Sequence, residues 1–441
     1  MQSTKISVIG AGSGAFSLSI VRNLCLTPNL AGSTVSFMDI NPERLDAVAT
    51  LCRRYAGELG AKLTVEQTQD RKESLRGADF VINTALTAGH DRLREGWRIA
   101  LRHGFRFPGS YHILYDEPFW VNFYQLRFFE SLTEDMLAIC PQAWHLMVAN
   151  PVVAGTTHLL RKYPAAKMVG LCHGYAEALA LGQRLAGTRE RLTYEVAGVN
   201  HFVWLTHLYH EGRDLRPALG EAAACAPWGR GHRENLHRLF GVHPIGDTCG
   251  WSGALWPWWN NTETPTEEGW KDDPEEQATF WDGYFNGVAK HPKDIARIAR
   301  DASLTLTEVF PPERDDELVV PLIESLACDL PRVFILNLQN SNEFVAGLPR
   351  DFEVEIPALA SKRGIQGIKT SPLPKEVLLH TLRDRVVPVE MELQAYTTGR
   401  RDLLVQLILM DKWATSMTQA EAFLEETLSL PYHEEMRRHY R

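Results

Sequence analysis

No stretch of this 441-residue sequence approaches the ~18 consecutive apolar residues of a membrane-spanning helix. No basic run stands out: 46 Lys and Arg face 55 Asp and Glu, and the formal charge of −9 indicates neither a nucleic-acid nor an anionic-membrane partner. The seven cysteines (Cys25, Cys52, Cys140, Cys172, Cys225, Cys249 and Cys328) are odd in number and scattered, with no CxxC spacing. That is the usage of a reducing compartment, where thiols stay free and can ligate metal. Internal repeats, low-complexity tracts and a signal-peptide cleavage site are also lacking, and the N-terminus runs straight into a strand-like segment, Lys5 to Ile9. With 44% hydrophobic and 23% charged residues, disorder, collagen and coiled coil are excluded. The expectation is a cytoplasmic α/β protein.

What is present first is alternation. Ile6–Ile9, Thr34–Met38, 78–84 (ADFVINT) and 144–149 (WHLMVA) are short apolar runs, each separated from the next by helical periodicity. Such alternation predicts a Rossmann-type doubly wound parallel sheet with helices on both faces. Met168–Cys172 reads as one more strand leading away from it. From about Leu192 the character changes: Tyr194–Val199 and Phe202–Tyr209 predict a separate antiparallel or mixed layer, Arg332–Leu338 and Phe352–Ile356 two further strands, and Lys375–Tyr440 amphipathic helices. The expected division is a Rossmann-like domain over 1–191 and an α+β domain for substrate and oligomerisation over 192–441. Six of the 12 tryptophans fall between Trp251 and Trp281. They read either as a loop packed on a core or subunit interface, or as a sugar-facing wall.

Gly10-Ala11-Gly12-Ser13-Gly14-Ala15 fits G-x-G-x-x-[G/A] between a strand and a helix, the context that motif requires. Gly10 permits the tight turn, Gly12 a close backbone approach to a pyrophosphate, and Ala15 close packing of helix on strand. The helix N-terminus then offers amide donors and partial positive charge to phosphates. Asp39 closes the second strand, 27 residues after Gly12, where a carboxylate accepts from ribose hydroxyls and repels a 2′-phosphate; NAD is therefore expected over NADP. Asn83-Thr84 and Asn150-Pro151 sit at carboxyl ends of predicted parallel strands, which is where the ligand crevice of such a sheet opens.

Two further strand ends carry metal-ligating chemistry: Cys172-His173-Gly174 and Gly198-Val199-Asn200-His201. A thiolate and an imidazole together suit a divalent metal with open positions for substrate oxygens. The spacing of 29 residues matches no compact metal motif, so a buried cysteine beside a satisfied histidine is the other reading. Asp247 in PIGDT (244–248) and Asp116 in YDEP (115–118) are acids on loops.

Together these segments resemble glycoside hydrolase family 4, the NAD- and manganese-dependent glycosidases, closest to its α-glucosidase branch. The likeness is carried by VIGAGS at the start, SFMDINPERLDA, ADFVINTA, Gly89-His90, ANP (149–151), GLCHGY (170–175), AGVNH (197–201), PIGDT, VEIPAL (354–359) and the helix around Met391-Glu392. The resemblance implies that Cys172 and His201 hold Mn²⁺, or Co²⁺ or Ni²⁺ in its place. It implies that Asp247 is the catalytic base and that Asp116 protonates the leaving group. Asn150, with His173 and Asn200 beside the two ligands, would bind substrate. Cys249-Gly250-Trp251 depart from the family pattern, which has an Arg nearby.

The implied reaction oxidises the sugar C3 hydroxyl by hydride transfer to NAD, with the metal as Lewis acid acidifying C2. Removal of the C2 proton, elimination at C1, addition of water and re-reduction complete a hydrolysis that consumes no NAD, one of the exceptions to the two-carboxylate scheme. The expected substrate is a small-molecule α-glucoside and the expected assembly a homodimer or homotetramer. Competing readings are an α-glucuronidase of the same family, a simple NAD-dependent sugar or 2-hydroxy-acid dehydrogenase, and an NAD-sensing scaffold.

Overall fold

The computed structural model describes residues 2–107, 109–115, 117–188, 190–219, 230–249, 256 and 274–441. The predicted alternation is realised as six parallel strands: β1 (Lys5–Ile9), β2 (Thr34–Met38), β3 (Thr64–Thr68), β4 (Phe80–Asn83), β5 (Trp144–Met147) and β6 (Met168–Gly170), in the order β3-β2-β1-β4-β5-β6. This is the doubly wound order, whose ligand crevice lies at the carboxyl ends of the strands. β1, β2 and β4 bury nearly every residue, as strands covered on both faces must. Thr64–Thr68 escapes the periodicity argument because it is a half-exposed, polar edge strand. β6 does not lead away from the sheet but pairs with β5 in parallel.

The second half comprises β7 (Leu192–Val199), β8 (Phe202–His210), β9 (Arg213–Asp214), β10 (His243–Ile245), β11 (Arg332–Gln339), β12 (Glu353–Ser361) and β13 (Gly364–Gly367). These strands are antiparallel to one another as expected, but they form no separate layer. They extend the same sheet beyond β6 in the order β6-β11-β12-β7-β8-β10. The ladder is thin at two joints. β11 meets β6 at one register pair, Asn337 opposite Gly170, and β12 meets β7 at Glu355 opposite Gly198.

The largest buried cluster lies under the C-terminal helices, the tail having folded as helices Lys375–Thr381, Val387–Thr398, Arg401–Leu409 and Met417–Ser429. A helix the periodicity did not reveal, Pro274–Arg300, returns to the first half and packs on helix Pro42–Glu58. Arg54 donates to the carbonyls of Ala299 (2.9 Å) in its last turn and of Asp301 (2.9 Å) and Leu304 (2.9 Å) just beyond it, closing a helix end whose carbonyls would otherwise stay open. Among the described residues no helix is long and apolar enough to cross a membrane. Cys25, Cys52, Cys140, Cys172 and Cys328 are free thiols.

Two tryptophans of the dense segment are described, and both are core. Trp256 is buried against Phe202 and Trp204, its indole N–H donating to the Thr248 carbonyl at 2.9 Å. Trp281 packs on Trp97 and Phe107. The sugar-facing reading does not hold for these two; Trp251, Trp258, Trp259 and Trp270 lie outside the described residues.

Candidate active site

The glycine loop follows β1 and opens helix Ala15–Cys25. Gly10 has φ +85°, and a Cβ there would lie 2.6 Å from the Ala85 Cα, so only glycine fits. A Cβ on Gly12 would meet Asp39 Oδ2 at 2.7 Å; instead the Gly12 N–H donates to that oxygen at 2.8 Å. The other Asp39 oxygen accepts from the Asn41 N–H at 2.8 Å. Asp39 thus reaches the loop from the end of β2, beside the exposed Ser13. Gly14 faces Ile295 of the returning helix. Asn83 and Thr84 brace the loop from the end of β4: the Thr84 hydroxyl lies 3.1 Å from the Ile9 and Gly10 carbonyls, and the buried Asn83 accepts from the Ala85 N–H at 3.2 Å.

A second cluster forms where β6, the β7–β8 turn and the turn after β10 converge. His201 takes a left-handed conformation, φ +62°, which reverses the chain between β7 and β8. Its ring brings three of the expected site residues together. The Cys172 thiol is within hydrogen-bonding reach, Nε2 lies 3.4 Å from Asp247 Oδ2, and Nδ1 lies 3.0 Å from Glu117 Oε1. Burial would lower the imidazole pKa, but Asp247, the thiol and Glu117 outweigh it and raise the ring well above its ordinary value. Burial, reinforced by Glu355, pushes the Cys172 thiol up. The Tyr111 hydroxyl donates to the carbonyls of His201 (2.8 Å) and Asp247 (3.0 Å).

A cavity of about 170 Å³ is lined by Asn150, Cys172, His173, His201 and Glu317, and also by Phe16 from the first turn after the glycine loop. It therefore runs from the helix that the glycine loop opens to the thiol. Asn150 is held by its carbonyl, which accepts from the Gln125 amide at 2.9 Å. Asn200 lies fully buried behind His201, its backbone N–H on Glu353 (3.2 Å) and its side-chain amide on Glu355 (3.1 Å). Asp116 lies outside the described residues. A wider surface groove of about 880 Å³, between helices Arg401–Leu409 and Met417–Ser429, contains none of the motif residues.

Two family models match the chain: "Family 4 glycosyl hydrolase" over residues 5–181 and its C-terminal domain over 196–414. The chain belongs to glycosyl hydrolase family 4. An alpha-galactosidase of Bacillus subtilis (strain 168) is 25% identical over 97% of this chain and 96% of its own length. An alpha-glucosidase of Erwinia rhapontici is 24% identical over 92% of this chain and 93% of its own. A 6-phospho-alpha-glucosidase from gut microorganisms, solved in complex with NAD and Mn²⁺, superposes with a TM-score of 0.79 at 17% identity, covering 98% of each chain. This family 4 member is thus a glycosidase by descent on a Rossmann-like scaffold.

Its site also contains residues that the sequence reasoning passed over. Glu117, next to the expected Asp116, is 1% exposed; burial opposes its ionisation, but Arg385 and His201 hold its carboxyl down at about 2. Glu353 and Glu355 are likewise buried, and burial lifts Glu355 to about 7 and Glu353 well above its ordinary value. One signal was available: β12 (EVEIPALAS) places two carboxylates at alternate positions of an otherwise apolar run, on one face of a strand. Buried acids on an interior strand call for partners.

Proposed function

We propose that this family 4 member is an NAD- and divalent-cation-dependent α-glycosidase acting on unphosphorylated sugars, with α-glucosides as first substrate. The observation that carries the reading is the single cavity joining the glycine-loop helix at Phe16 to Cys172 and His201, with Asp247 beside the imidazole. The residues present fit both groups. At Gly10 and Gly12 the absent Cβ lets Ala85 and Asp39 close onto the loop, the tight glycine turn that a pyrophosphate-binding loop needs, and Asp39 favours NAD by repelling a 2′-phosphate. Cys172 and His201 are a thiol and an imidazole in mutual contact, a donor pair suited to Mn²⁺, Co²⁺ or Ni²⁺. Two protein donors leave coordination positions for sugar oxygens.

When bound, the two groups supply a hydride acceptor and Lewis acidity toward neighbouring sugar carbons. Asp247, partly exposed beside His201, takes the C2 proton as general base. Asn150 and His173 line the cavity and orient sugar hydroxyls. Asp116 donates a proton to the departing aglycone. Loss of the C2 proton lets the C1–O bond break by elimination; water added at C1, with a proton returned at C2 and the hydride returned at C3, completes a hydrolysis with no net oxidation. An α-galactoside is the second substrate to try, since a relative so named matches almost end to end.

The test is a panel of nitrophenyl α- and β-glycosides, gluco- and galacto-configured, free and 6-phosphorylated, with and without NAD⁺, Mn²⁺ and thiol. Release of nitrophenol from an unphosphorylated α-glycoside only when both NAD⁺ and Mn²⁺ are present supports the reading. Net accumulation of NADH without aglycone release would point instead to a dehydrogenase.

A further inference from the structure

Behind His201 lies a buried unit that touches neither the cavity nor the glycine loop. Its origin is a π-helical turn, Leu382–Val386, between helices Lys375–Thr381 and Val387–Thr398. Such turns are rare and concentrate at functional sites. This one carries Arg385, which is 0% exposed, into the protein beneath the β7–β8 turn. The guanidinium carbon stands 4.0 Å from the centroid of the Tyr111 ring, and one nitrogen, Nη2, is 3.1 Å from both Glu117 Oε2 and the Asn200 carbonyl.

Two arms leave this cation. Through Glu117, the first arm reaches His201 Nδ1 at 3.0 Å. Through Tyr111, the second reaches backbone: one hydroxyl binds the carbonyls of both His201 and Asp247. His201 needs such support, because a non-glycine residue at φ +62° holds that conformation only where its surroundings enforce it. A carboxylate 3.0 Å from Nδ1 favours the proton there in the neutral ring and leaves the Nε2 lone pair, on the Asp247 side, for a cation, the arrangement by which outer partners orient histidine ligands.

We propose that Arg385, Glu117 and Tyr111 form a positioning unit: Glu117 keeps the proton on Nδ1 so that Nε2 is offered to a divalent cation, and Tyr111 fixes the spacing of His201 from Asp247. This rests on the reading of Cys172 and His201 as the cation site. Arg385 holds both arms in place with a planar group that stacks on the aromatic ring while donating to two acceptors in fixed directions; a lysine ammonium has donors but neither the plane nor the fixed fork.

The experiment is titration of the NAD⁺-loaded full chain with Mn²⁺, following free Mn²⁺ by electron paramagnetic resonance, alongside NAD⁺ affinity and melting temperature. Glu117→Gln is expected to weaken Mn²⁺ binding about 10- to 100-fold with NAD⁺ affinity within about twofold of the unaltered protein. Arg385→Lys should move both quantities the same way, and it keeps the test alive if Glu117→Gln fails to fold. Tyr111→Phe should lower kcat more than it weakens Mn²⁺. Glu130→Gln, which alters another carboxylate–histidine pair (2.6 Å from His158), serves as control: it should lower the melting temperature and leave Mn²⁺ affinity alone. Mn²⁺ affinity unchanged in both Glu117→Gln and Arg385→Lys overturns the positioning unit, as does a loss matched by equal loss of NAD⁺ binding. If the unaltered protein binds no Mn²⁺, the cation site itself fails and the unit with it. Binding lost in Cys172→Ser but intact in Glu117→Gln defeats the unit alone.

Discussion

The glycine loop, whose helix reaches the cavity at Phe16, and the cluster around His201 are built in opposite ways. The loop is backbone: it works through missing side chains, and its polar partners Asp39 and Thr84 lie within 75 positions of it, the one distant neighbour being the apolar Ile295 against Gly14. The His201 cluster is side chain and charge, drawn from segments as far apart as Glu117 and Arg385, 268 positions. A backbone site fails when an atom is added; a charged site fails when one is taken away, because the partner left behind is buried without compensation. The two regions should therefore respond independently to substitution, the loop through NAD⁺ and the cluster through cation and chemistry.

The most severe way to break that independence is Cys172→Ser. It should cost more activity than the ~100-fold typical of losing an outer partner of a metal, while NAD⁺ binding measured by fluorescence stays intact. Parallel loss of NAD⁺ would mean the regions are one. Asp247→Asn should lower kcat by about 10²–10⁴, the usual contribution of a general base, and abolish incorporation of deuterium at C2 from heavy water. Near-normal turnover would reduce Asp247 to a turn-former. Gly10→Ala pushes a methyl into Ala85 at a left-handed φ, a strain of about 1–3 kcal/mol, so NAD⁺ should weaken while Mn²⁺ affinity measured by calorimetry holds. The smallest effect is expected from Asp39→Ala: loss of one charged acceptor should narrow the preference for NAD⁺ over NADP⁺ by about tenfold in paired titrations.

The same contrast explains what could be read from the sequence. Gly10, Gly12 and Asp39 were legible because a backbone site leaves a local signature, glycines at fixed offsets between a strand and a helix. β7, β8 and β11 were legible from apolar runs. Cys172 and His201 could be offered as metal-ligating residue types at strand ends and Asp247 as an acid on a loop, but only the resemblance joined them into one site; 29 and 46 residues separate them in order, and nothing local says they meet. Glu117 and Arg385 were illegible for a stronger reason. Each reads as a surface charge, and only the folded chain reveals that one neutralises the other. Thr64–Thr68 was missed because an edge strand with polar residues lacks the apolar alternation that marks interior ones.

The sheet's thin joints have a mechanical consequence. Along the order β6-β11-β12-β7, Cys172 follows the strand on one side of the β11–β12 pair and His201 the strand on the other. A ligand gripped by both would act as a clasp across the part of the ladder with the fewest rungs. Breathing there is expected to exchange backbone amides of β11 and β12 faster at the joints than along their mutual pairing. Saturation with Mn²⁺ should slow that exchange and raise unfolding free energy by about 2.7 kcal/mol at a hundredfold excess over Kd. The cation would then be a fastener of the fold as well as a reagent, and chelation would loosen the sheet before it exposed the core.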